Sequence, residues 1–294
     1  MARDCAGAEG VAGATDNRLT QACRSPASDD AMTRDLDSPA GPPRLDLSDD
    51  GVATLTLSRP QHLNRLHRED LRALQAHFAT LAASTEVRAV VLTGSGRAFC
   101  AGFNIAELEE GRGAAHHDPQ LFEHTVQALE ALPLPTVARL NGSVYGGATD
   151  LALACDFRVG VTDMELRMPA ARLGLHYYPS GLQRYVSRLG LGAAKRLFLL
   201  AEAVPADELL QIGYLDYRVP PEALDATVLH LVGTLAAHAP LAVRGMKRSL
   251  DEIARGQVDL HALRERVATC AASNDLREGL AAFAERRAPR FTGT

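Results

Sequence analysis

Apolar and polar positions along the chain follow two periods, and their order predicts the architecture. Residues 45–47 and 52–57 alternate apolar with small or polar side chains on either side of Asp49-Asp50-Gly51, the pattern of a β-hairpin. Leu71, Leu74, Phe78 and Leu81 fall at helical spacing within 68–83, which predicts a helix buried along one face. The nearly continuous apolar run at 87–93, rich in β-branched residues, predicts a buried strand. Helical patterns follow at 104–110 and 118–131, then strand patterns at 136–140 and 157–161 on either side of a helix that starts at Gly146-Gly147. This β-then-α alternation predicts an α/β fold with largely parallel pairing. From Pro179 onward the periodicity is mostly helical. Pro240 suits the first position of a helix carrying Val243, Met246, Leu250 and Ile253. A last helix starts near Ser273-Asn274, with Leu276, Leu280 and Phe283 on one face. No fixed repeat runs through the chain.

Composition refines this picture at the ends. The first 43 residues hold only Val11, Leu19 and Leu36 as large aliphatic side chains and close on Pro42-Pro43. Such a segment buries too little surface to offset its ordering entropy, so 1–43 are expected to be a disordered tail. The tail lacks the apolar core of a signal peptide, and its seven acids against four arginines suit a transit peptide poorly. Met32 offers an alternative start. The expected division is therefore a tail at 1–43, an α/β core at 44–236 and a helical region at 237–294. At 294 residues, 46% hydrophobic and 23% charged, the whole has the balance of a globular protein.

The formal charge of −5, with Lys195 and Lys247 the only lysines, argues against nucleic acid as the main partner. No apolar run approaches the roughly 18 residues of a membrane-spanning helix. Cys5, Cys23, Cys100, Cys155 and Cys270 form no CxxC pair and no zinc-like spacing. That usage fits a reducing, cytoplasmic setting without a metal site.

Common signatures for phosphate binding, zinc proteolysis and the nucleophile elbow are missing. Two glycine-bearing turns are more informative: 93–104 (TGSGRAFCAGFN) and 141–150 (NGSVYGGATD), each a strand end passing into a helix start. The first N–H groups of a helix lack internal acceptors and sit at its positive end. Two such starts aimed at one point would hold a carbonyl oxygen that turns anionic during reaction. Read singly, either set of glycines serves equally as a tight turn. Asp150 reads as a helix-start charge or a base. His176, Tyr177 and Tyr178 read as site residues or as the packing of an aromatic loop.

Five stretches taken together, at 57–64, 91–102, 141–156, 169–175 and 275–291, resemble the crotonase superfamily (enoyl-CoA hydratase/isomerase) over about residues 45–294. The resemblance implies a spiral of ββα units with a C-terminal helical trimerisation region, the trimers often pairing into hexamers. It implies an acyl-CoA substrate, with coenzyme A part of that substrate and no separate cofactor. The thioester oxygen would lie between the N–H groups of Phe103 and Gly147. CoA-binding positions would be Ala101, Phe283 and Arg286, the last two reaching the nucleotide held by a neighbouring subunit.

Where hydratases of the family carry two catalytic glutamates, this chain has Asp150 and Ala170. It also has Phe103-Asn104 where Ala-Asp is usual. Local likeness at 142–148 and 173–177 points to the methylmalonyl-CoA decarboxylase branch, with Tyr177 as its matching tyrosine. Three readings stay open: a lyase or isomerase using Asp150, a decarboxylase using Tyr177, and a non-catalytic CoA-ester-binding scaffold. They differ in whether Asp150 and Tyr177 face the N–H pair.

Overall fold

In the computed structural model, which describes residues 40–107 and 118–294, the chain enters the fold through an antiparallel pair, β1 (Gly41–Leu47) and β2 (Val52–Ser58). Leu45 faces Leu55 and Leu47 faces Ala53 across the expected turn. β1 starts at Gly41 rather than near residue 44, so 41–43 belong to the sheet. The expected disorder of the remaining tail falls on 1–39, outside the described residues. Pro42 and Pro43 are tolerated because β1 is the edge of its sheet, where missing donors cost little. One extra residue between Gly41 and Arg44 bulges the strand around them.

The helix α1 (Arg68–Ala83) buries Leu71, Leu74, Phe78 and Leu81, the stripe its spacing marks. At its start the Asp70 carboxylate accepts from the His67 N–H at 2.8 Å and pairs with Arg59. The chain then alternates as expected through β3 (Ala89–Gly94), α2 (Leu121–Glu130), β4 (Thr136–Leu140), β5 (Val144–Tyr145), α3 (Gly147–Ala154), β6 (Phe157–Val161) and β7 (Glu165–Arg167). Of the helix expected at 104–110, Ala106 and Glu107 are helical, Asn104 and Ile105 precede the helix as coil and turn, and 108–110 lie outside the described residues. Next come α4 (Pro179–Lys195), β8 (Val204–Pro205), α5 (Ala206–Gln211) and β9 (Tyr217–Val219). Four helices close the fold: α6 (Leu224–Ala237), α7 (Pro240–Ala254), α8 (Leu260–Ala272) and α9 (Asn274–Glu285).

Strands sort into two sheets. The larger runs β1-β2-β3-β4-β6-β9, parallel beyond the first pair, and the smaller is β5-β7-β8. Isolated bridges Leu66–Phe103 and Cys100–Val144 extend the smaller array back to earlier turns of the chain. Successive turns thus place one strand in each array before a helix, which is the ββα spiral.

The C-terminal helices depart from a simple core pattern. Met246, Leu250 and Ile253 on α7, and Leu276, Leu280 and Phe283 on α9, are exposed. The apolar faces that sequence periodicity marks there point outward. Among the described residues no single helix is long and apolar enough to cross a membrane.

Cys100 and Cys155 are fully buried, and burial pushes both thiols up to about 12. Because the thiolate is the reactive form, iodoacetamide at pH 8 is expected to leave both unmodified in the native protein and to alkylate both after denaturation. Peptide mass spectrometry reads the outcome, and native labelling of either would contradict the packing described here.

Candidate active site

The two glycine turns meet. Gly102 takes φ +90°, and a β-carbon there would lie 2.7 Å from the Tyr145 carbonyl oxygen and 3.4 Å from the Gly147 nitrogen. Only glycine allows that approach. The approach is fixed from both sides. Tyr145 N–H donates to the Cys100 carbonyl at 3.0 Å, and Gly146 N–H donates to the Arg167 carbonyl at 2.9 Å. Leu66 N–H donates to the Gly102 carbonyl and Asn104 N–H to the Leu66 carbonyl, each at 2.8 Å. The Phe103 N–H between them is not used by this bridge. Ala101, half-buried, donates its N–H to the Leu63 carbonyl at 2.8 Å. Beyond the turn, Glu107 accepts from the Arg68 N–H at 2.9 Å and pairs with His67 Nδ1 at 2.5 Å, tying the outgoing segment to the start of α1.

Gly147 opens α3, so its N–H has no intrahelical acceptor. The Phe122 ring covers it from α2: a β-carbon on Gly147 would lie 2.6 Å from Phe122 Cζ. Phe122 meets Phe103 edge-on at 6.0 Å between centroids and Tyr178 at 6.1 Å. Phe103, Phe122 and Tyr178 therefore form one aromatic wall beside the two N–H groups.

Asp150 lies one helical turn beyond Gly147 but is not at the surface of the site. It has no exposed area; Arg184 Nη1 donates to both its oxygens at 2.7 Å, and the Tyr178 hydroxyl donates to Oδ2. Arg184 also donates to Glu130 through Nε and Nη2, at 3.0 and 3.1 Å. Arg188 and Arg255 reach the same glutamate from outside, at 3.3 and 3.2 Å. Asp150 is thereby enclosed: α4 lays Arg184 over it, and the Tyr178 hydroxyl caps Oδ2. A carboxylate so deep needs a cation and a donor, since unpaired burial of charge costs several kcal/mol, roughly 3–5. Burial raises the Asp150 pKa, against the opposing pull of Arg184 and the Tyr178 hydrogen bond. Burial acts on Glu130 in the same sense, but its three arginines hold it below the usual carboxylate range.

Tyr177 is buried and stacks on Tyr178 at 4.2 Å. Its hydroxyl donates to the Tyr178 hydroxyl at 3.1 Å, and its ring packs on Phe198 at 5.1 Å. Of the adjacent tyrosines, Tyr178 rather than Tyr177 carries the polar contact with Asp150. Ala170 is buried and supplies no acid. Phe283, 86% exposed, and Arg286, at the left-handed end of α9, stand on the surface. Phe122, Glu130 and Arg184 escape sequence reading. The available signal is an arginine in register with Gly181 and Tyr185 on the inward face of α4.

Residues 48–294 match the family model described as Enoyl-CoA hydratase/isomerase. The chain is 33% identical over 250 residues to the putative enoyl-CoA hydratase/isomerase YngF of Bacillus subtilis, covering 82% of this chain and 95% of that protein. It is 30% identical over 240 residues to the short-chain-enoyl-CoA hydratase of Clostridium acetobutylicum, with coverages of 80% and 92%. The crystal structure of an enoyl-CoA hydratase from Bacillus anthracis superposes with a TM-score of 0.78 at 29% identity, covering 86% of this chain and all of that one.

Proposed function

Because the chain belongs to the enoyl-CoA hydratase/isomerase family, we propose that it moves a proton on an acyl-CoA thioester through an enolate held by the Phe103 and Gly147 N–H groups. The observation that carries this reading is the contact of Gly102 with Gly146-Gly147, which brings the turn bearing Phe103 against the start of α3. Donors already aimed at a developing oxyanion contribute without reorganising during reaction. Coenzyme A arrives as part of the substrate, and the reading calls for no other cofactor.

Asp150 lies behind the wall of the site, and Ala170, at the position where the resemblance expects a second acid, offers none. This favours a proton shift, such as migration of a double bond, over fast addition of water. Crotonyl-CoA hydration is expected to run about 10²–10⁴-fold slower than in a two-glutamate hydratase, the usual loss for one missing acid or base. Hydration at the speed of such an enzyme would contradict this reading of Ala170. Decarboxylation has less support, because the Tyr177 hydroxyl is spent on Tyr178 inside the core and the relatives compared above are named as hydratases or isomerases.

The enclosure of Asp150 favours a second reading, a non-catalytic protein that binds CoA esters. Turnover of a panel of 2-enoyl and 3-enoyl thioesters, measured beside equilibrium binding of each, separates the two. Saturable binding with no turnover on any thioester supports the second.

The outward apolar faces of α7 and α9 support assembly as a trimer or a dimer of trimers, with Phe283 and Arg286 reaching a neighbour's CoA. Light scattering at micromolar concentration is expected to give a mass of three or six chains. A monomer would sink this reading of the exposed helices.

A further inference from the structure

We propose that Tyr178 is the group that exchanges a proton with the substrate carbon, and that Asp150 receives and returns that proton through the Tyr178 hydroxyl. The proposal deepens the enolate reading above and rests on it.

Three observations place Tyr178 there. Asp150 follows Gly147 by three residues on α3, a rise of about 4.5 Å along the helix and on nearly the same face. The residue whose Oδ2 takes the Tyr178 hydroxyl thereby sits about one turn along the helix from Gly147. A thioester whose oxygen rests on the Gly147 N–H carries its α-carbon within two bonds of the oxygen. The second observation is access. Asp150 is sealed, with both oxygens on Arg184, whereas Tyr178 is half-buried and its ring shares the Phe122 wall with Phe103 and Gly147. The third is the direction of the hydrogen bonds. Tyr177 donates to the Tyr178 oxygen and Tyr178 donates to Asp150, so the string ends on a carboxylate able to accept a proton.

The step balances without a further reactant. The Tyr178 oxygen takes the α-proton while its own proton passes to Asp150 Oδ2. The electron pair of the broken C–H bond enters the thioester as the enolate, whose oxygen is held by the two N–H groups. Asp150 is then a neutral acid, a form that its buried setting already favours more than water would. Arg184 keeps its two bonds to Glu130 throughout. Running the string backward returns a proton to the α-carbon, or to the γ-carbon when a double bond migrates. Tyr178 is the catalytic residue in this scheme. Asp150 acts through it and is a positioning residue and proton store.

The test is exchange of the α-protons of butyryl-CoA in deuterium oxide, followed by mass spectrometry, with the dissociation constant of butyryl-CoA measured alongside. Tyr178→Phe keeps the ring against Phe122 and Tyr177 and removes only the hydroxyl. It is expected to bind butyryl-CoA within about threefold of wild type and to lose about 10²-fold or more in exchange, the scale of a general base. Asp150→Asn, where it melts as a folded protein, is expected to lose as much, and the double variant no more than either, since two links of one relay are not additive. A purely structural Asp150 would give additive losses. Exchange in Tyr178→Phe within a few-fold of wild type overturns the proposal and leaves the enolate reading standing. Wild type that binds butyryl-CoA without exchange overturns both and favours the binding-protein reading.

Discussion

Methionine in place of Arg184 is expected to lower the unfolding free energy by about 3–5 kcal/mol, the cost of leaving a buried charge without its partner. The guanidinium is 1% exposed and lies between Asp150, with no exposure, and Glu130. Glu130 retains Arg188 and Arg255 after the change. Asp150 retains only the Tyr178 hydroxyl, so it is the group left stranded. Methionine fills much of the arginine volume, which keeps a cavity term from dominating. Urea unfolding followed by circular dichroism measures the difference. Arg184→Met with Asp150→Leu is expected to recover much of the loss, because removing both charges is far cheaper than removing one. A single variant that loses under about 1 kcal/mol would show that solvent reaches Asp150 and that the enclosure described above is wrong.

Alanine at Gly102 is expected to cost the largest share of activity. Its β-carbon would stand 2.7 Å from the Tyr145 carbonyl oxygen at φ +90°, so the two turns must separate, and with them the Phe103 and Gly147 N–H groups proposed to hold the thioester oxygen. Loss of one such donor is worth about 10²–10³-fold in kcat, and separation of the pair affects both. The comparison is kcat on the thioester turned over best by wild type, with melting temperature as the control for folding. Gly192→Ala, on an exposed stretch of α4 with nothing within 4 Å of the added methyl, is expected to keep wild-type activity. Gly102→Ala at wild-type kcat would mean that the turns do not bind the reacting oxygen.

Much of the fold can be read in the periodicity of the chain because each buried stripe is local. The spacing of Leu71, Leu74, Phe78 and Leu81 yields α1 with its observed bounds, and the strand patterns at 136–140 and 157–161 coincide with β4 and β6. Periodicity marks an apolar face without saying what covers it. Met246, Leu250, Leu280 and Phe283 therefore read like core positions and stand outside. The candidate site divides along the same line. Its glycine turns are visible because φ and close approach restrict the residue type at each point. The setting of Asp150 is not visible, because its partner Arg184 lies 34 residues away and Glu130, the other carboxylate on that arginine, lies 54 residues before Arg184. Tyr177 and Tyr178 look alike in sequence. Gly181 leaves room for both rings, since a β-carbon there would lie 2.4 Å from the Tyr177 ring and 2.7 Å from the Tyr178 ring. What distinguishes them is the hydrogen bond of the Tyr178 hydroxyl to Asp150, a contact between residues 28 apart in sequence.

The first strand also bears on how the molecule avoids polymerising. An open sheet edge can be lengthened by a strand from a second chain, and repeated addition makes a fibre. At β1 an incoming strand would find no N–H at Pro42 or Pro43. The bulge after Gly41 shifts the spacing it would have to match, and the Pro43 carbonyl already accepts from the His77 ring N–H at 3.0 Å. An added strand could not run past this point in register. The same prolines that look like the end of a floppy tail thus act as a stop on the large sheet.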